Sequence, residues 1–163
     1  MRKPTLDKHD GKPSRILIVD DNRQNLELLQ AYLEDLDCET LSATDGLEAL
    51  KLVRTYKPDL VLLDIMMPQM SGFEVCRRLK SDPDTSDIPV IMVTALNEFG
   101  DIERGIDCGT DDFVSKPVNK LELLTRVKTM LKLKHLTDRL DRTLAYLSEI
   151  EGQTAGRETS PLG

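Results

Sequence analysis

Long apolar runs are missing from this chain of 163 residues. None reaches the roughly 20 residues that a helix needs to cross a bilayer, and the first residues carry no signal-peptide pattern, so a soluble cytoplasmic protein is expected. Positive charge is not in excess either. The formal net charge is -7, which argues against a nucleic-acid-binding surface and against docking on an anionic membrane. Histidine is scarce: His9 lies in a polar arm and His135 in a charged helical stretch, and neither is expected to ligate a metal or to catalyse. The three cysteines, Cys38, Cys76 and Cys108, are far apart and have no metal-ligand spacing. Each stands beside apolar residues, which predicts buried reduced thiols. No glycine-rich phosphate loop of the nucleotide-binding kind occurs. What remains, 39% hydrophobic and 31% charged, suits one globular domain with a real core and a tail.

Residues 1–14 are polar and basic with two prolines and are expected to form a flexible arm. RILIVD (15–20) is an apolar run that closes on acids. From Asn22 onward, Leu26, Leu29, Leu33 and Leu36 share one helical face. ETLSA (39–43) reads as a weak strand. Asp45 and Glu48 have the capping-box spacing and open a helix toward Tyr56. DLVLLD (59–64) is a third strand, and Ser71 with Glu74 caps a helix that turns Val75, Cys76 and Leu79 inward. IPVIMVT (88–94) is a fourth strand, after which Asn97 is placed to cap a helix running to about Asp107. DDFVSK (111–116) is a fifth, broken by Lys116-Pro117, and Asn119 with Glu122 caps a last helix. Five short strands, apolar on both faces and separated by helices, predict a doubly wound α/β domain around a parallel sheet.

The strand ends carry the chemistry. Strand one closes on Asp20 and Asp21, strand three on Asp64, strand four on Thr94 and strand five on Lys116. In a parallel sheet all of these project from one edge, where such folds bind their ligands. Carboxylates about 4 Å apart repel by roughly 4 kcal/mol per pair at an effective dielectric near 20. Either some are protonated or a divalent cation neutralises them, and an all-oxygen set with open positions suits Mg²⁺. Strand-ending acids also cap helices, but capping does not explain three acids, a hydroxyl and a lysine together. Asp64, alone at its strand end, is the candidate nucleophile toward phosphorus. Asp20 and Asp21 are the candidate metal ligands, with Lys116 and Thr94 facing the phosphoryl oxygens.

ILIVDD (16–21), LVLLDIMMPQMSG (60–72), VIMVTA (90–95) and DDFVSKP (111–117) resemble the receiver domain of two-component response regulators, over about residues 15–132. The resemblance implies a flavodoxin-like, five-stranded sheet of order 2-1-3-4-5. It implies that Asp64 takes a phosphoryl group from a phosphohistidine on a sensor histidine kinase or a histidine phosphotransfer protein, with Mg²⁺. Asp21, Asp64 and the Met66 carbonyl would ligate the ion directly and Asp20 through water. Thr94 and Phe113 would form the switch pair, and Lys116 would contact the phosphoryl group across a bond to Pro117 that is cis in relatives. Such a domain is not an enzyme but assists its own phosphotransfer and dephosphorylation. Ser71 stands where many relatives have Asp, and Phe113 where some have Tyr. Met66 and Leu96 are apolar and are expected to slow the attack of water on a phosphorylated Asp64. Phe99, Ile102 and Ile106 are candidates for a partner surface on the fourth helix. A phosphatase with an Asp nucleophile commonly has a second Asp two residues on, where this chain has Met66.

Past the domain, the last helical pattern runs from Val118 to about Glu151. Leu133, Leu136, Leu140, Thr143, Leu147 and Ile150 keep a heptad spacing, which predicts a coiled-coil extension over 133–151 and a homodimer. A helix leading to an output domain is the competing reading, in which the chain is the receiver part of a longer regulator such as a cyclic-dinucleotide synthase or hydrolase. Residues 152–163 are polar and glycine-bearing, and are expected to be a disordered tail.

Overall fold

The computed structural model describes residues 12–95 and 99–158. The order is β1 (Ser14–Val19), α1 (Arg23–Leu33), β2 (Cys38–Ala43), α2 (Gly46–Tyr56), β3 (Leu60–Asp64), α3 (Gly72–Ser81), β4 (Val90–Thr94), α4 (Phe99–Cys108), β5 (Asp112–Ser115) and α5 (Lys120–Glu158). All strand pairs are parallel, in the order β2-β1-β3-β4-β5. The alternation of helix and strand predicted this doubly wound sheet.

Helices cover both faces, so even neighbouring strand residues are buried. Leu17, Val19, Val61, Leu63, Val90 and Met92 pack with residues of α2 and α3 and with Cys108 of α4. Ile16, Ile18, Leu60, Leu62, Ile91, Val93 and Val114 pack with α1 and α5 on the other side. Both faces of β3 therefore lose water, which explains its unbroken apolar run.

Side-chain caps start the helices where the sequence places them. Asn22 accepts from the N–H groups of Gln24 and Asn25. Asp45 accepts from Glu48 N at 2.8 Å, Ser71 from Glu74 N at 3.3 Å and Asn119 from Glu122 N at 3.0 Å. The Glu48 carboxylate returns to Thr44 N at 3.1 Å, one residue ahead of the cap. Asn97 and Leu96 lie outside the described residues, as do the side chains of Phe99 and Ile102; Ile106 is exposed.

Several boundaries differ from the sequence reading. β1 starts at Ser14, and β2 at Cys38, whose thiol is only half-buried rather than buried because β2 is an edge strand. α1 ends at Leu33; Leu36 is still buried, because a turn with Leu36 N donating to Leu33 O folds it inward. α5 continues to Glu158 rather than stopping near Glu151. No proline interrupts it before Pro161, and an interior glycine such as Gly152 weakens a helix by about 1 kcal/mol without ending it. His135, read as one of many polar residues on a charged helix, is buried. Among the described residues, no helix is long and apolar enough to cross a membrane.

Candidate functional site

The reversal of strand order between β1 and β3 leaves a crevice at their carboxyl ends. Asp20 follows β1 immediately and is 1% exposed, while Asp21 turns outward. The Asp20 amide donates to Ala43 O at 3.1 Å, and its carboxylate accepts from Asn22 N at 2.9 Å. That short turn, closed by the same Asn22 that caps α1, holds Asp20 in place. Asp64, the last residue of β3, is 4% exposed. One oxygen from each of Asp20, Asp21 and Asp64 lies within 4.8 Å of the other two.

Lys116 enters from the far side of the sheet. It stands one residue past β5 rather than at its end, and its amide donates to Thr94 O at 2.8 Å. The Lys116-Pro117 peptide is cis. The ammonium reaches Asp64 Oδ1 at 3.0 Å and Asp20 Oδ2 at 3.5 Å. Thr94 is buried at the end of β4, between the acids and the lysine in strand order. Chain positions 20, 64, 94 and 116 thus meet at one rim.

The electrostatics follow from burial and count. Burial pushes the Asp64 carboxyl above its ordinary value. The Lys116 hydrogen bond pulls it back, and the charges of Asp20 and Asp21 push it up again. For Lys116, burial alone would favour the neutral amine, but the hydrogen bond and charge of Asp64, then Asp20, outweigh it and raise the lysine. One ammonium against three carboxyl groups leaves room for a cation. The donor set is all oxygen and fits a hard ion.

Phe113 lies on β5 with Met92 as its neighbour in register, two residues before the Thr94–Ser115 pair. Alternation puts Phe113 and Thr94 on the same face of the sheet. Phe113 is partly buried against the core beneath α2, α3 and α4. Between the ends of β3 and β4 a groove of ≈ 740 Å³ is lined by Ile65, Met66, Pro68, Thr94, Ala95 and Arg104, among others. Met66 is 78% exposed there. A second cavity, ≈ 680 Å³ around Lys57, Asp59, Asp82 and Asp138, contains none of the strand-end acids.

One site residue escapes the sequence reading. Gly72 donates its amide to Ile65 O at 2.9 Å, and a Cβ there would collide with the Asp64 carbonyl oxygen and sit 2.9 Å from Ile65 Cα. Only a bare backbone lets α3 begin against the residue that carries the nucleophile. The sequence marks Gly72 as the position after a helix cap; nothing local marks the neighbour it must avoid.

The family model for the response regulator receiver domain matches residues 16–128. Response regulator PleD of Caulobacter vibrioides is 44% identical over 127 residues, 78% of this chain and 28% of that protein. The DNA-binding dual master transcriptional regulator RpaA of Synechocystis is 40% identical over 139 residues, 85% of this chain and 56% of that one. Among solved structures, the signal receiver domain of a signal transduction histidine kinase from Syntrophus aciditrophicus superposes with a TM-score of 0.69 at 39% identity, covering 72% of this chain and 89% of that one. A CheY-like receiver domain protein from Methanospirillum hungatei gives 0.72 at 28% identity, covering 77% and 99%. This chain spans from about a quarter to just over half the length of those two curated relatives. By its strand order, its acidic rim and these matches, the chain belongs to the response regulator receiver domain family.

Proposed function

We propose that Asp64 accepts a phosphoryl group from a phosphohistidine on a sensor histidine kinase or a histidine phosphotransfer protein. The observation that carries this reading is the Lys116 ammonium 3.0 Å from a nearly buried Asp64. A carboxylate oxygen of Asp64 attacks phosphorus in line with the P–N bond. That bond breaks, and the departing imidazole keeps its electron pair and takes a proton. As charge spreads over the equatorial oxygens, Lys116 turns from Asp64 toward them and the Thr94 hydroxyl donates to another. Asp20, Asp21, Asp64 and the Met66 carbonyl would hold Mg²⁺, which supplies positive charge to the same oxygens. The product is an acyl phosphate, one per chain, so the protein is a phospho-accepting domain and not a turnover enzyme. Phosphorylation adds charge and acceptor oxygens that draw Thr94 inward, and Phe113 follows into the space vacated.

Incubation with acetyl phosphate and Mg²⁺ tests this. Intact mass is expected to rise by about 80 Da, one phosphoryl group, and not to rise in Asp64→Asn. Retention of the adduct in that variant would overturn the assignment.

The output side of the proposal is a homodimer through α5. Leu133, Leu136, Leu140, Leu147 and Ile150 are exposed along the heptad stripe, with Leu144 and Tyr146 beside it. Every residue from 139 to 153 is exposed. A single helix in water gains little from such side chains, whereas a second copy would bury them. The share of PleD spanned by this chain supports a second reading, in which α5 joins the receiver to an output domain such as a cyclic-dinucleotide synthase or hydrolase. The full coding sequence separates the two.

A further inference from the structure

Cys76 and Cys108 stand 32 positions apart in the chain, yet the fold brings them together where the last residue of α4 packs on α3. Both are buried in the core on that face of the sheet. The Cys76 thiol donates to Cys108 O at 3.4 Å, and the two thiols are also in hydrogen-bonding reach of each other. We infer that Cys76 and Cys108 are a redox pair, which a peroxide converts to a disulfide bridging α3 and α4 and which a thiol reductant reopens.

The pair is chemically unequal. The hydrogen bond from Cys76 pulls the Cys108 thiol down to about 7, against the opposing effect of burial; bonds from the backbone and the charge of Arg77 act in the same direction as Cys76. Cys76 is pushed up in turn by Cys108 and by burial, and only the Lys80 charge favours its thiolate. Cys108 is therefore the thiolate that meets the oxidant. It ends its helix, directly before Gly109, whose φ of 90° closes the turn. Local opening of that last turn would admit a molecule as small as hydrogen peroxide.

The steps balance. The Cys108 thiolate attacks one peroxide oxygen; the O–O bond breaks, hydroxide leaves and takes the thiol's proton to become water, and Cys108 is a sulfenic acid. The Cys76 sulfur then attacks the Cys108 sulfur. The S–S bond forms, the S–O bond breaks, and the departing hydroxide takes the Cys76 proton as a second water. Two thiols are oxidised and one peroxide is reduced.

The bridge would tie the end of α4 to α3. Its effect on signalling rests on the reading of Asp64; the bridge does not. The test uses the full chain and a Cys38→Ser version that retains the pair. After hydrogen peroxide and denaturing alkylation, intact mass and peptide mapping are expected to show a loss of about 2 Da and a Cys76–Cys108 link, both reversed by dithiothreitol and absent in Cys76→Ala. A bridge to Cys38, a sulfinic acid at Cys108 without a bridge, or full alkylation of both thiols would overturn the proposal. Acetyl phosphate is then given to both forms. Phosphoryl uptake by the oxidised chain is expected to fall roughly fivefold, the low end of ordinary coupling between sites. Equal uptake would remove the link to signalling. No uptake by either form would overturn the Asp64 reading and leave the bridge standing.

Discussion

Asp64 is a carboxylate in a place that disfavours its charge. Burial raises it, Lys116 partly restores it, and Asp20 and Asp21 raise it again. A folded-state value above the ordinary 3.8 means that the native state holds the proton more tightly than the unfolded chain does. Native stability therefore falls as pH climbs from that ordinary value through the raised one. In cation-free buffer at pH 7, Asp64→Asn is expected to melt above the wild type, with the gap closing below about pH 4, where the unfolded carboxyl also keeps its proton. Added Mg²⁺ should raise the melting temperature of the wild type and leave the variant nearly unmoved. A variant that melts below the wild type at pH 7 would contradict this account of the rim. Met66, exposed over the same groove, is expected to keep attacking water off a phosphorylated Asp64. Met66→Asn should shorten the phosphoryl half-life, and equal half-lives would remove that role. Gly72→Ala pushes a methyl into the Asp64 backbone. Overpacking of this kind destabilises by about 1–3 kcal/mol, read from the denaturant midpoint, and phosphoryl uptake should fall with it.

Helices and strands differ in how far four or five consecutive residues determine them. The caps at Asp45, Ser71 and Asn119 are local hydrogen bonds and are legible along the chain, whereas Asn22 reads only as the start of its helical segment and the structure makes it the cap. Ser71→Ala should weaken α3 by about 1 kcal/mol, the ordinary value of an N-cap. The ends were less legible: Leu36 continues the apolar spacing of α1, yet it is a turn and not a further helical residue that buries it. α5 shows the same limit at larger scale. Leu123, Val127 and Leu131 dock on the sheet, and Lys134 pairs with Asp87 at 2.9 Å and with Asp138 at 2.8 Å. Burial pulls against the charge of Lys134, but its bonds to Asp138 and Asp87 prevail and hold it above its ordinary value. Beyond those contacts the apolar stripe is exposed, and in the proposed dimer a second copy would cover it. Leu140→Glu with Leu147→Glu is expected to halve the light-scattering mass while leaving phosphoryl uptake intact. An unchanged mass would count against pairing through α5.

The molecule as a whole supplies what neither residues nor elements contain. A buried strand that ends in an acid is an anomaly visible in one dimension, so Asp20, Asp21, Asp64, Thr94 and Lys116 could be named from the chain alone. The 3.6-residue period of the helices and the unbroken apolar runs of the strands likewise determined the alternation of elements and both buried faces of β3, because hydrophobic burial acts on each residue where it stands. Distances belong to the tertiary structure. The 3.0 Å between Lys116 and Asp64, the collision that reserves position 72 for glycine and the meeting of Cys76 with Cys108 depend on how distant segments pack. No run of neighbouring residues encodes such distances, since each is the joint outcome of sheet order, strand register and helix docking, which the whole core settles at once.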